Sequence, residues 1–97
     1  MRLTLNDQAA TDIDDIREYI AQDNPGAAAR VATRILSELS LLAAHPHMGR
    51  PGRVPETREF IFANLSYIGV YRVHADIELV EVLRIVHAAQ YYPPDEN

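Results

Sequence analysis

The sequence predicts a small α+β domain in which a short N-terminal strand and an antiparallel two-helix hairpin pack on an antiparallel β-meander. Apolar residues recur at three- and four-residue steps in the first half of the 97-residue chain, which is helical spacing. In the second half they alternate or form short runs, as in strands, and a loop rich in Pro, Gly and Arg separates the halves. We expect the strand and hairpin in 1–44, the loop in 45–57, the meander in 58–87 and a tail in 88–97.

The first elements are a strand and a helix. Residues 2–5 place two leucines on one side of an extended segment, and Asn6 or Asp7 is suited to cap the helix that follows. The apolar positions of that helix form one stripe: Ala9, Ile13, Ile16 and Ile20. Its charged residues are expected to face water: Asp12, Asp14, Asp15, Arg17 and Glu18.

A second helix follows almost at once. Asn24 is a favoured N-cap, and Pro25 suits a first helical turn, where no N–H is needed. The helix is expected to end only at His45-Pro46. The short connection makes the two helices antiparallel neighbours. The apolar stripe of the second helix is Ala28, Val31, Ile35, Leu39 and Leu42.

Three strands are predicted in the second half, at residues 58–63, 67–74 and 77–86. The connections between them are short enough for hairpin turns. The last strand is apolar on both faces, so we expect it inside the sheet with the helices on one side. Gly69 within a strand indicates close approach of another element, such as a helix.

Charge limits the functions that the chain can perform. Its net charge is −5, and all nine basic residues are arginine. An acidic chain is poorly suited to an affinity built on phosphate neutralisation. The loop is nevertheless locally positive, because it lacks acids between Glu38 and Glu56 and contains four basic or titratable residues: His45, His47, Arg50 and Arg53.

Several classes of protein are disfavoured. The chain has no cysteine, so neither a disulfide framework nor a thiolate site is expected. The four histidines lack the spacing of a zinc site, and no nucleophile elbow or phosphate-binding glycine loop occurs, so we expect no metal and no cofactor. No apolar run is long enough to span a membrane and the first residues do not resemble a signal peptide, which favours a cytoplasmic protein without membrane contact.

Two interpretations of the remaining Arg and His residues stay open. Arginine matches phosphate geometry and histidine titrates near neutral pH, so the set could hold an RNA phosphate and transfer protons. Alternatively, Arg58 pairs with Glu56 or Glu59, Arg84 pairs with Glu78 or Glu81, and His87 merely ends a strand. Spacing alone favours the second interpretation. The set that would act in a ribonuclease is Arg58, Arg84, His87 and Tyr91.

A series of short motifs runs in order along almost the whole chain. They are A-x2-D-I-x2-I-x2-Y-I-A (9–21), N-P (24–25), H-P-x-M-G-R-P (45–51), V-P-x-T-R-E (54–59), Y-x3-Y-R (67–72) and L-R-I-V-H (83–87). In this order and spacing the chain resembles the RelE/ParE superfamily of toxins from bacterial type II toxin–antitoxin modules. The resemblance implies two helices on a small curved sheet, in agreement with the elements above, and a cognate ParD-like antitoxin as partner.

The resemblance also implies two binding surfaces. An antitoxin segment that folds on the toxin would cover apolar surface of the hairpin and meet arginines with its own acids. The residues predicted to bind the antitoxin are Ile13, Ile16, Ile20, Ile35, Leu39, Arg53 and Arg58. Those predicted to bind the target are Arg50, Arg53, Arg72, Tyr91 and Tyr92.

Two activities are known among such toxins. RelE-like members cut mRNA on the ribosome, whereas ParE-like members poison DNA gyrase without a nuclease set. The ribonuclease branch commonly has arginine three positions before the strand tyrosine Tyr71, and this chain has Ile68 there. That departure, the acidic net charge and the absence of lysine favour a ParE-like gyrase toxin over a ribosome-dependent endoribonuclease.

Overall fold

The structure is a computed structural model that describes residues 1–91. The main elements follow the predicted order of a strand, two helices and three strands, and the structure adds two short helices, α3 and α4, and one short strand, β2. The strands are β1 (Arg2–Leu5), β2 (Arg50–Pro51), β3 (Arg58–Ile61), β4 (Tyr67–His74) and β5 (Leu79–His87). The helices are α1 (Asp7–Ala21), α2 (Pro25–Leu39), α3 (Leu41–Ala44) and α4 (Ala88–Tyr91), and a 3₁₀ turn covers Ala75–Ile77.

The five strands form one sheet in the order β1-β5-β4-β3-β2. The antiparallel meander is confirmed for β3, β4 and β5. β1 pairs in parallel with β5, so the complete sheet is mixed. β5 lies inside the sheet between β1 and β4, as its two apolar faces predict. The loop 45–57 contains β2, a two-residue strand that the Pro and Gly content had argued against.

The helix starts follow the sequence prediction. Asn6 Oδ1 accepts from the Ala9 N–H at 2.8 Å, and Asn24 Oδ1 accepts from the Ala27 N–H at 3.0 Å. The helical residues end at Ala44, before His45-Pro46 as predicted, but a break at Ser40 that the sequence did not indicate divides them into α2 and α3. Ser40 lies at the break, where its hydroxyl donates to the Ser37 carbonyl at 2.6 Å. Such local bonds compete with the helix and bend it.

The core lies between the hairpin and one face of the sheet, here called the helix face. Gly69 makes the close approach that its place in a strand indicated, because a Cβ built on it would lie 3.3 Å from Leu39 of α2. The large side chains of this core come from both layers: Ile13, Ile35, Leu39, Leu42, Phe60, Phe62, Tyr71, Val80, Val82 and Ile85. Within residues 1–91, no helix is long and apolar enough to cross a membrane.

Candidate functional site

The sheet surface that faces away from α1 and α2, here called the far face, carries charged residues in one row. Arg50 lies opposite Glu59, Glu59 opposite Val70, and Val70 opposite Arg84. Cross-strand partners share a face, and successive residues alternate between faces. Because Gly69 faces α2, its neighbour Val70 and the rest of this row lie on the far face.

Glu59 is the centre of this row, and its side chain is completely buried. Its Oε1 accepts from Arg50 Nε at 3.2 Å, and its Oε2 accepts from the backbone N–H of Arg53 at 3.1 Å. A buried carboxylate needs such partners, since an unpaired buried charge is costly. Glu59 therefore fixes the positive loop to the sheet.

Arg53 extends this cluster to the end of the chain that the structure describes. Its guanidinium lies 5.0 Å from the centre of the Tyr91 ring and donates to the Tyr91 carbonyl. Burial, and then the negative charge of Glu59, raise the pKa of the Tyr91 phenol, while Arg53 opposes the shift. The phenol is thus protonated at neutral pH and is not a ready base.

The other predicted target residues fall into two cases. Arg72 lies on the far face two residues along β4 from Val70 and opposite Glu81. Its Nε is buried without a hydrogen-bond partner within residues 1–91, while Glu81 pairs with His74 Nε2 at 2.9 Å. Tyr92 lies outside the described residues.

Arg58 pairs with neither Glu56 nor Glu59, contrary to one sequence interpretation. It lies opposite Tyr71, hence on the helix face, and its guanidinium donates to the Gly49 and His47 carbonyls at 2.9 and 3.1 Å. Its hydrogen bonds are therefore directed to the preceding loop.

Arg84 is paired with a residue that the sequence interpretation did not consider. Its Nε donates to Asp12 Oδ2 at 2.8 Å, so the predicted pairs with Glu78 and Glu81 are wrong. Asp12 itself was expected to face water, but its side chain is only 8% exposed. The same oxygen accepts from the Ile85 N–H at 2.9 Å, beyond the end of the β1–β5 pairing. Asp12 thus accepts the β5 hydrogen bond that β1 would accept if it extended as far as Ile85.

His87 belongs to a different environment. Its ring packs edge-on against Tyr67, with ring centres 5.5 Å apart, and its Nδ1 accepts from the Ala89 N–H at 3.2 Å. Because Tyr67 lies two residues from Gly69, this pair is on the helix face. The candidate ribonuclease residues thus occupy separate places: Arg58 at the loop, Arg84 at Asp12, His87 beside Tyr67 and Tyr91 at Arg53.

Three of the residues predicted to bind the antitoxin do not lie on the surface of the chain. Ile13, Ile35 and Leu39 are buried in the chain's own core, because the stripe that marks an interface in a sequence equally marks a core. Ile16 and Ile20 are partly exposed. The apolar surface on α1 is therefore smaller than expected.

Sequence reasoning missed Asp12 and Glu59, yet each leaves a signal. Asp12 stands three residues from Ala9 and four from Ile16, beside the apolar stripe, and Glu59 stands directly before the apolar run 60–62 within a predicted strand. A charge at such a position is expected to be buried with a partner. Within residues 1–91, no three His, Asp or Glu side chains form a group that could hold a metal ion.

The comparisons with known proteins agree on one family. Residues 3–92 match the family described as the ParE toxin of the type II toxin–antitoxin system parDE. A putative toxin, Y4kP, of Sinorhizobium fredii is 46% identical over 81 residues, covering 84% of this chain and 81% of that protein. Toxin RelE2 of Caulobacter vibrioides is 35% identical over 83 residues, or 86% and 90% of the two chains.

A solved structure shows the same fold. It is described as a chromosomal ParDE toxin–antitoxin system from P. aeruginosa, and it matches with a TM-score of 0.79 and 27% identity over 90% of this chain and 95% of that one. The family match, these toxin relatives and the shared fold agree with the motifs read along the sequence. The chain belongs to the ParE toxin family of type II toxin–antitoxin systems.

Proposed function

We propose that this chain inhibits DNA gyrase by binding it and that a cognate ParD-like antitoxin neutralises it in the cytoplasm. The observation that carries the proposal is the separation of the four side chains a ribonuclease would need. An acid–base mechanism requires its groups within hydrogen-bond reach of one substrate position. Arg58 and His87 instead lie on the helix face, away from Tyr91 at Arg53.

The proposed target surface is the arginine cluster of the far face. Arg50 and Arg53 meet at buried Glu59, Tyr91 packs on Arg53, and Arg72 lies further along the same face. Arginine and tyrosine are enriched among the residues that dominate protein interfaces. A cluster of this kind acts through contact and needs no chemical step. Tyr92 follows Tyr91 directly and is included in the proposal on sequence alone.

The proposed antitoxin surface lies on the exposed side of α1. Ile16 and Ile20 are partly exposed, and Tyr19 between them is 71% exposed. An amphipathic or extended antitoxin segment would bury these side chains. Of the two arginines first assigned to this interface, Arg53 is exposed and Arg58 is used by the loop.

The proposal is tested with purified chain in a DNA supercoiling assay with gyrase. The wild-type chain is expected to inhibit supercoiling. Arg53→Ala is expected to raise the concentration needed for inhibition about tenfold, because an interface arginine that contributes ~1.4 kcal/mol to binding is lost. Arg30→Ala is the matched control, since it removes an exposed arginine of α2 away from the cluster. Equal inhibition by both variants would exclude the arginine cluster, and undisturbed supercoiling by wild type would exclude gyrase as target.

A ribosome-dependent mRNA endoribonuclease is the second candidate. One relative carries the name Toxin RelE2, and the Arg84 side chain is half exposed, so it has room to meet a phosphate. In that case, mRNA bound to ribosomes would be cleaved at new sites when the wild-type chain is added, and would not be cleaved when the His87→Ala variant is added. The contact mechanism predicts no cleavage with either protein.

A further inference from the structure

A groove of about 580 Å³ lies on the helix side of the molecule, away from the arginine cluster. One wall is α1, which contributes Asp15, Ile16 and Tyr19, and the other is the end of the sheet, with Tyr67 and His87. Among residues 1–91, none of the residues of the proposed target surface lines it. Its chemistry differs from that of the far face.

The walls of the groove are aromatic. Tyr67 and His87 pack edge to face at 5.5 Å, and Tyr19 stands at the rim with 71% of its surface exposed. Burial, and then the nearby Tyr19 phenol, raise the pKa of Tyr67, which keeps its ring neutral. Aromatic faces attract cations because the ring quadrupole is negative above and below the plane.

The groove's charge has the sign that complements a cation. The Asp15 carboxylate makes no hydrogen bond or ion pair within residues 1–91, whereas the carboxylate of its neighbour Asp14 pairs with Arg17 at 2.9 Å. His87 Nδ1 accepts from the Ala89 N–H at 3.2 Å. Among residues 1–91, no arginine lines the groove. The Asp15 carboxylate therefore lies beside the Tyr19 and Tyr67 rings with no arginine side chain lining the same groove.

We propose that the groove receives an arginine side chain of the bound antitoxin, with the guanidinium against the Tyr19 and Tyr67 rings and the Asp15 carboxylate. A planar guanidinium suits both contacts, since it stacks on aromatic rings and forms charge-assisted bonds with carboxylates. Its methylene stem would lie along Ile16, the aliphatic side chain that α1 contributes to the groove.

The antitoxin is the occupant because the groove is continuous with the apolar surface assigned to it. Ile16 belongs to both, and Tyr19 lies next to Ile20 along α1. This assignment of the partner rests on the proposed function. The charge of the groove is opposite to that of the arginine cluster proposed for the target, so the two surfaces suit partners of opposite charge.

The first test titrates the isolated chain with Nα-acetylarginine N-methylamide and follows the tyrosine ring signals by NMR. We expect shifts at Tyr19 and Tyr67 with a roughly millimolar dissociation constant, and about tenfold weaker binding of the neutral citrulline isostere. Asp15→Asn and Tyr19→Leu should each weaken binding about fivefold. Asp14→Asn and Tyr19→Phe are the matched controls, because they keep the groove carboxylate and the ring face.

The second test measures dissociation of the co-purified toxin–antitoxin complex. Asp15→Asn is expected to raise the dissociation constant about fivefold and Asp14→Asn to leave it unchanged. Equal binding of the arginine and citrulline probes would overturn the inference, as would equal effects of the two Asp variants on the complex. Neither the arginine titration nor the dissociation measurement involves gyrase. Failure of this inference can therefore be distinguished from failure of the proposed gyrase inhibition, which the supercoiling assay tests.

Discussion

Asp12 joins α1 to β5 through one carboxylate that accepts from three residues. Its oxygens accept from Arg84 on β5, from the Ile85 N–H of the same strand and from Gln8 Nε2 one turn earlier on α1. The side chain is nearly buried, while that of Arg84 is half exposed. The residue that the sequence assigned to a solvated face thus fixes the first helix to the sheet.

Replacing Asp12 is expected to destabilise the fold. Asp12→Ala leaves the Ile85 N–H and the Arg84 guanidinium without their acceptor, at a cost of about 2–3 kcal/mol in the free energy of unfolding. Asp14→Ala removes an exposed pair and should change that energy by less than about 0.5 kcal/mol. Urea denaturation of both variants measures the difference, and comparable destabilisation would contradict this role for Asp12.

The Asp12 carboxylate also makes the free energy of unfolding depend on pH. Burial alone would raise the pKa of Asp12, but hydrogen bonds from Arg84, Gln8 and the Ile85 N–H outweigh it and hold the pKa below the ordinary value of 3.8. Because the unfolded chain binds this proton more readily, the stabilisation is complete above pH 3.8 and is lost as the pH falls through the folded pKa.

The acid effect is measured as the difference in unfolding free energy between wild type and Asp12→Asn. We expect this difference to be constant between roughly pH 5 and pH 8 and to shrink as the pH falls below about 4. A difference that grows on acidification would mean that Asp12 is not held ionised by these partners.

Among the elements, the turn between α3 and β2 is fixed by β3 and β4. The Tyr71 hydroxyl donates to the Pro46 carbonyl at 2.8 Å and accepts from the Gly49 N–H at 2.9 Å. Arg58, the cross-strand neighbour of Tyr71, donates to the Gly49 carbonyl. The motifs H-P-x-M-G-R-P (45–51) and Y-x3-Y-R (67–72) are distant in the sequence, but they are joined in the structure by the hydrogen bonds of Tyr71 to Pro46 and Gly49.

Gly49 is required by that contact. A Cβ at this position would lie 2.7 Å from both the Glu59 carbonyl oxygen and the Tyr71 hydroxyl. Gly49→Ala is expected to lower the free energy of unfolding by about 2–3 kcal/mol, since buried backbone must shift. Gly26→Ala lies in the first turn of α2, where a Cβ would lie 3.3 Å from the flexible end of Arg30 and in ordinary contact with Asn24 Oδ1 at 3.6 Å, so this change should be neutral or slightly stabilising. Thermal unfolding compares the two, and equal midpoints would contradict the close contact.

The sequence predicts helices and strands better than it predicts the side-chain pairs that form between them. The Asn6 and Asn24 caps, the Tyr67–His74 strand and the close approach at Gly69 follow from local rules, and the structure confirms them. Ion pairs depend on which elements become neighbours. Asp12 and Arg84 meet only once β1 ends short of Ile85, and no spacing along the chain encodes that.

At the scale of the whole molecule, the two sides of the sheet have different characters. The far face gathers arginines around buried Glu59, while the helix side presents the exposed α1 surface with Asp15 and Tyr19. The fold class was predictable from the spacing of apolar residues, and the toxin family from the order of the motifs. The division of the candidate residues between the faces was not, because it depends on strand register and on side chains that turn toward loops.

The central claim is that the chain acts by contact with gyrase, and the amount of gyrase-cleaved DNA tests it most directly. Purified chain is incubated with gyrase and closed circular DNA, the enzyme is digested, and linear DNA is quantified. We expect linear DNA to increase with toxin concentration, to require gyrase, and to persist with His87→Ala. Unchanged linear DNA, together with mRNA cleavage on ribosomes that His87→Ala abolishes, would contradict the claim.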